Sequence, residues 1–207
     1  MRLYIKLKRV RYNKEQLLEL MATIKGFFFD LDDTLVGTKD ANYAAYRDAF
    51  ADTGLELTYE DFSSHWGKDS RQSIPQIAPQ LSLDEVDYIR HQKSKHYEKY
   101  LHTTRPNEVL INFLDSMAKH YITVLVTTAK RKNGQEILRI HGLEEHFTHV
   151  IFGDEVTAGK PDPEAYLKAL AITKLSPEEV VVFEDSENGM TAAKSAHLSV
   201  IQVRHFT

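Results

Sequence analysis

The chain has 207 residues, 42% apolar and 27% charged, the proportions of an ordinary globular protein with room for one full domain and a sizeable insertion. A net charge of −4 with acids and bases interspersed argues against a nucleic-acid surface, and the absence of cysteine excludes disulfides, thiolate metal sites and cysteine nucleophiles. No apolar run approaches the roughly 18 residues that span a bilayer, and charges interrupt every hydrophobic stretch near the start, so no membrane partner, no signal peptide and a cytoplasmic setting are expected.

Residues 1–23 are expected to be an N-terminal extension. Within it, 2–10 alternate basic and apolar side chains in an edge-strand pattern, and Asn13 with Gln16 has the spacing of a capping box for a short helix. Residues 24–35 then read IKGFFFDLDDTL. Four apolar or aromatic positions, Ile24 and Phe27 to Phe29, run into Asp30, Asp32 and Asp33, which suits a buried central strand ending in an acidic turn. After a polar connector at 36–40, the character becomes helical. Tyr43, Ala44, Tyr46, Arg47, Ala49 and Phe50 recur at helical spacing, and helices are predicted over 59–66, 70–78 and 84–102. A second connector at 103–107 contains Pro106.

Helix and strand alternate from there on. Helices are predicted over 107–119, 133–141, 163–175 and 188–196, and strands over 122–127, 149–152, 180–184 and 200–203. With the first strand, this predicts an α/β fold: a Rossmann-like parallel five-stranded sheet over 24–38 and 104–207, with an α-helical domain inserted at 39–103.

Three of those strands end in polar residues: Asp30-Leu31-Asp32-Asp33-Thr34, Thr127-Thr128, and Glu184-Asp185-Ser186. In a parallel sheet these ends share one edge, where ligands bind. Carboxylates crowded at the end of an apolar strand are costly unless a cation sits between them. Between the third and fourth strands lies Gly159-Lys160-Pro161-Asp162-Pro163, whose prolines stiffen a loop carrying one lysine.

The ordered set DLDDT, Thr127, GKPDP and EDS resembles the four motifs of the haloacid dehalogenase superfamily in its phosphatase branch. The helical insertion resembles the cap of the subfamily that includes β-phosphoglucomutase and phosphoglycolate phosphatase. The resemblance implies a Mg²⁺-dependent phosphatase of a small phosphorylated metabolite such as a sugar phosphate, phosphoglycolate or a nucleotide monophosphate, as a monomer or weak homodimer. Asp30 would be the nucleophile that forms an aspartyl-phosphate, and Asp32 the general acid and then base. Mg²⁺ would be held by Asp30, the Asp32 carbonyl, Asp185 and, directly or through water, Glu184. Thr127, the N–H groups of Leu31 and Thr128, and Lys160 would hold the phosphate.

Departures from the family pattern sharpen this expectation. Asp33 stands where many relatives have glycine, and Thr34 is the phosphatase-like choice. Asn42 occupies the place of the histidine in the mutase cap, which argues against the mutase alternative, and the presence of Asp32 argues against dehalogenation. Intact Asp30, Asp32 and Lys160 argue against a non-catalytic phosphate-binding regulator. Arg71, Asn42 and Lys68, with His65 and Trp66, are the candidates for contact with the leaving group, and the cap is expected to act as a mobile lid.

Overall fold

A computed structural model of the chain describes residues 23–206. The edge strand and short helix expected within the first 22 residues lie outside the described residues. The chain divides into two compact units: the described residues up to Leu35 with those from Pro106 onward, and Val36–Arg105.

The first unit is built on a sheet of β1 (Gly26–Phe29), β4 (Ile122–Val126), β5 (His149–Ile151), β6 (Val180–Glu184) and β7 (Ser199–Gln202). Its order is β5-β4-β1-β6-β7, and every pairing is parallel. The five-stranded α/β sheet expected from the sequence is met. Successive strands step outward from β1 in one direction and then in the other, which puts the topological switch point beside β1. Side chains of β1 alternate between the two faces. Phe28 packs with Val124, Val126, Val182, Tyr166 and Ala192 in the main core. Phe27 meets Phe113 edge-on at 5.3 Å, and Phe29 stacks on Phe183 at 5.0 Å.

Helices α5 (Glu108–Met117), α6 (Arg131–Ile140), α7 (Glu164–Thr173) and α8 (Glu187–Ser195) connect these strands. Asn107 caps α5 through Leu110 N–H, and Ser186 caps α8 through Gly189 N–H. Pro163 was expected to be the first residue of its helix; it sits one position earlier, as the N-cap of α7.

The second unit contains α1 (Lys39–Ala51), α2 (Tyr59–His65), α3 (Ser70–Ile77) and α4 (Leu83–Tyr100). Thr58, Asp69 and Ser82 cap α2, α3 and α4, and the Ser82–Glu85 pair forms a full capping box. Phe50, Leu57, Phe62, Ile74, Val86 and Ile89 form its core, with Trp66 against Phe62 at 5.3 Å. The two connectors, expected to be plain polar linkers, instead contribute short strands to one two-stranded ribbon, β2 (Val36–Gly37) with β3 (Arg105–Pro106). No helix among the described residues is long and apolar enough to cross a membrane.

Lys174, the C-cap of α7, has φ +58, a left-handed conformation that disfavours a residue with a Cβ. Lys174→Gly is expected to stabilise the protein by about 1 kcal/mol, raising the melting temperature by roughly 2–4 °C. A melting temperature that stays or falls would show that the Lys174 side chain offsets this strain by contacts of its own.

Candidate active site

Asp30 follows the last residue of β1, and its N–H donates to the Phe183 carbonyl of β6 at 3.0 Å. The pairing of Phe29 with Phe183 therefore carries Asp30 and Glu184 off the sheet side by side. Both are buried, Asp30 at 6% exposure and Glu184 at 0%. Two adjacent buried carboxylates require a counter-charge, and Lys160 supplies it from the loop before α7. Its ammonium donates to Asp30 Oδ1 at 2.7 Å and to the Val126 carbonyl at the end of β4 at 2.9 Å. A third, short bond runs to Glu184 Oε1. Only 4% of the lysine side chain is exposed, so this ammonium is a buried centre and not a solvated surface charge.

Glu184 is tied down further. Its Oε1 accepts from the Tyr166 hydroxyl at 3.0 Å, and its Oε2 accepts from Ser186 Oγ at 3.2 Å. Tyr166 also presents its ring face to the Lys160 ammonium, 5.2 Å from the centroid. Ser186 thus faces two ways, holding Glu184 while capping α8 through Gly189 N–H at 3.0 Å. A Cβ on Gly189 would overlap the Glu184 carboxylate, so the first turn of α8 passes the glutamate at backbone contact.

Asp185 completes the acidic edge, with Thr34 Oγ1 donating to its Oδ1 at 3.0 Å. Ligand oxygens of Asp30, Glu184 and Asp185 lie within 4.8 Å of one another. Hard oxygen donors this close suit a hard divalent cation. Asp33, in the turn between, has φ +57, a left-handed conformation that glycine adopts without the Cβ penalty.

Thr127 is buried at the end of β4, and its Oγ1 accepts from Ala129 N–H at 3.0 Å, leaving its own proton free to donate. Thr127, Thr128, Gly153, Gly159 and Lys160 line a recess of about 50 Å³. Leu31 is fully buried and Asp32 half-buried on the turn after β1.

The structure therefore brings Asp30, Lys160, Glu184 and Asp185 together on the carboxyl edge, with Thr127 at the end of the neighbouring strand. The leaving-group candidates lie in the helical unit, each with local partners. Asn42 is buried and donates to the Thr38 carbonyl at 3.0 Å and the Tyr97 hydroxyl at 3.3 Å. Lys68 donates to the Ser64 carbonyl at 3.0 Å, and Arg71 pairs with Asp87 at 3.4 Å. His65 bonds to the Asp61 carbonyl at 2.8 Å.

Sequence reasoning missed Tyr166, because a tyrosine on an apolar helix face reads as core. It also missed the Thr34–Asp185 bond, which spans 151 residues and leaves no local signal. Lys93 was missed too; its ammonium lies over the Tyr97 ring at 4.1 Å and the Tyr46 ring at 5.3 Å.

The electrostatics follow from crowding. Burial, and after it the Glu184 carboxylate, raises Asp30 well above the usual carboxylate range against the pull of Lys160. Burial alone lowers Lys160, but Asp30 and Glu184 outweigh it, so the ammonium stays charged. Burial, followed by Glu184, pushes Asp185 up to about 7, with the Thr34 hydroxyl opposing.

An α/β enzyme with a buried carboxylate–lysine centre at the switch point of a parallel sheet is the class that this fold and edge define. The sequence profile of the haloacid dehalogenase-like hydrolases matches residues 27–203, and the chain belongs to that family. It is 32% identical to the phosphorylated carbohydrates phosphatase of Thermotoga maritima, over 86% of this chain and 84% of that protein. It is 23% identical to the β-phosphoglucomutase of Bacillus subtilis, over 87% of this chain and 83% of that one. Among solved structures, CbbY from Rhodobacter sphaeroides in complex with phosphate superposes with a TM-score of 0.76 at 27% identity, covering 88% of this chain and 87% of that chain. The expected family is met, and with it the expectation of a hydrolase.

The raised acid predicts a pH dependence. A carboxyl whose pKa rises on folding, here from 3.8 to about 7, holds its proton more tightly in the native state. Its stabilising contribution is therefore complete below the unfolded value and is lost as pH climbs through the folded one. The raised Lys160 keeps its charge throughout this window. In chelator, the melting temperature is expected to fall from pH 5 to pH 8 relative to that of Asp185→Asn. Parallel pH profiles for the two proteins would show that Asp185 is not raised.

Proposed function

We propose that the chain is a Mg²⁺-dependent phosphatase of small phosphorylated carbohydrates that works through an aspartyl-phosphate on Asp30. The observation that carries this reading is the buried Asp30 held at 2.7 Å by the Lys160 ammonium, with Glu184 and Asp185 alongside. The likeness to a phosphorylated carbohydrates phosphatase supports the substrate class.

A phosphate monoester is anionic, so a carboxylate reaches its phosphorus only where the surroundings offset both charges. Asp30 attacks phosphorus and the alkoxide leaves, taking a proton from Asp32. Water then attacks the same phosphorus, gives a proton to Asp32, and frees Asp30 and inorganic phosphate. Lys160 balances the charge of Asp30 and the phosphoryl group, and the Thr127 hydroxyl donates to a phosphoryl oxygen. Asp30 and Asp185 would hold Mg²⁺, with the Asp32 carbonyl and Glu184 beside them. When bound, the cation supplies the positive charge that keeps Asp30 ionised and draws the phosphoryl oxygens in.

The mutase is the second reading, favoured by the likeness to β-phosphoglucomutase. Asn42 weighs against it, since its amide is spent on Thr38 and Tyr97 and carries no titratable proton. Isomerisation of a hexose 1-phosphate faster than its hydrolysis would restore that reading.

Asp30→Asn keeps the shape and removes the charge. Turnover of a panel of small phosphorylated carbohydrates, read as phosphate release, is expected to fall at least about a thousandfold with the fold intact. Activity near that of the unaltered protein would sink the aspartyl-phosphate mechanism.

Chelation is expected to abolish phosphate release and Mg²⁺ to restore it. Calcium should inhibit, because its longer bonds and looser shell misplace the attacking carboxylate. Full turnover in excess chelator, or equal turnover with calcium, contradicts the metal assignment.

A further inference from the structure

Asn107 stands directly after β3, where the second connection returns to the sheet unit, and only 3% of it is exposed. Its Oδ1 accepts from Leu110 N–H at 3.3 Å, the capping bond of α5. A cap needs only that acceptor, and serine, threonine or aspartate provides it equally well. The amide nitrogen does something more. It donates to the Thr34 carbonyl at 3.0 Å, a partner 73 residues away in sequence, while the Asn107 backbone N–H donates to the Leu35 carbonyl at 2.8 Å. Two consecutive peptides of the acidic turn are thus held by one residue.

Thr34 is fully buried, and its hydroxyl donates to Asp185 Oδ1 at 3.0 Å. Threonine is β-branched and stiff at χ1, so the aim of its hydroxyl follows its backbone. That backbone comes straight after Asp33 at φ +57, a conformation that persists only where the surroundings hold it. The bonds from Asn107 are such a hold. Chains of this kind, behind a ligating carboxylate, set how well the ligand is aimed.

We propose that Asn107 is a positioning residue for the divalent-cation site: by fixing the Thr34 peptide it fixes the Thr34 hydroxyl and, through it, the Asp185 carboxylate. The proposal rests on the reading of Asp30 and Asp185 as cation ligands. Its role differs from that of a cap in acting on a group at the far end of another strand.

The test is a double-mutant cycle on Mg²⁺ affinity, measured by calorimetry and by the Mg²⁺-dependent rise in melting temperature, so that turnover plays no part. Thr34→Val removes the hydroxyl at nearly constant volume, and Thr34→Ser restores it. Asn107→Ser keeps the capping oxygen but cannot reach the Thr34 carbonyl. Thr34→Val and Asn107→Ser are each expected to raise the Mg²⁺ dissociation constant about tenfold, with Thr34→Ser, which returns the hydroxyl without the stiff β-branch, recovering only part of that loss. The double variant is expected to bind no more weakly than Thr34→Val alone, because Asn107 acts only through that hydroxyl. An Asn107→Ser protein that melts lower yet binds Mg²⁺ normally reduces Asn107 to a helix cap and overturns the proposal. Losses that multiply in the double variant overturn it too. Should Asn107→Ser not fold, Asn107→Thr, a second capping residue without the amide, is read in the same cycle against the same outcomes. Absence of Mg²⁺ binding in the unaltered protein overturns the cation reading itself, and the proposal with it.

Discussion

The Lys160 ammonium, buried between Asp30, Glu184 and the Val126 carbonyl, is the interaction on which the rest of the sheet edge depends. Parallel pairing of β1 with β6 delivers two carboxylates to one place whether or not anything neutralises them. Removing one partner of such a buried set costs about 3–5 kcal/mol, because the remaining charges are left desolvated and unpaired. The position of the lysine is correspondingly overdetermined. It takes a carbonyl from β4, a carboxylate from each of β1 and β6, and the ring of Tyr166 from α7. Three strands and a helix are registered by one side chain.

The same economy recurs at Ser186 and Asn107, each of which caps a helix and also holds a second group, Glu184 in one case and the Thr34 peptide in the other. Ser186 joins the first turn of α8 to Glu184, and the missing side chain at Gly189 allows that turn to come close. Asn107 joins α5 to the acidic turn. Helix starts at a carboxyl edge are exposed N–H groups in need of acceptors. Where the acceptor residue can also donate, as the Ser186 hydroxyl and the Asn107 amide do, the helix orientation and the geometry of the acidic edge become one constraint.

Legibility from sequence followed the range of the interactions. Runs such as VVVFE at 180–184 announced β6 with its observed bounds, because burial on both faces leaves an unbroken apolar signal. The convergence of Asp30, Glu184 and Asp185 was readable because parallel topology places their strand ends on one edge, whereas Lys160, in a loop, was placed there only by the resemblance of its GKPDP motif. The strand at 122–127 ended one residue early, since the Thr127 hydroxyl takes Ala129 N–H and turns the chain. Nothing local announces Tyr166 or Thr34, whose roles lie in bonds across 18 and 151 residues. The ribbon of β2 and β3 escaped because two-residue strands are too short for any periodicity. Arg71 could be placed on its helix, but its pairing with Asp87 on another helix needed the packed structure.

The charge balance of the edge also bears on the order of events in the proposed reaction. Glu184, Asp185 and Asp32 each raise Asp30, and Asp33 raises Asp185, so the acids repel one another despite Lys160. Without a cation, the protein relieves this repulsion by holding protons. Proton affinity and cation affinity are then one property read in two ways, and each ligand displaces the other. A phosphate ester brings further negative charge to the same few ångströms. Its binding to the metal-free edge would require protons on the very carboxylates that attack and ligate, and a protonated Asp30 is no nucleophile. Under the proposed mechanism, such an edge would accept an anionic ester productively only with the divalent cation bound.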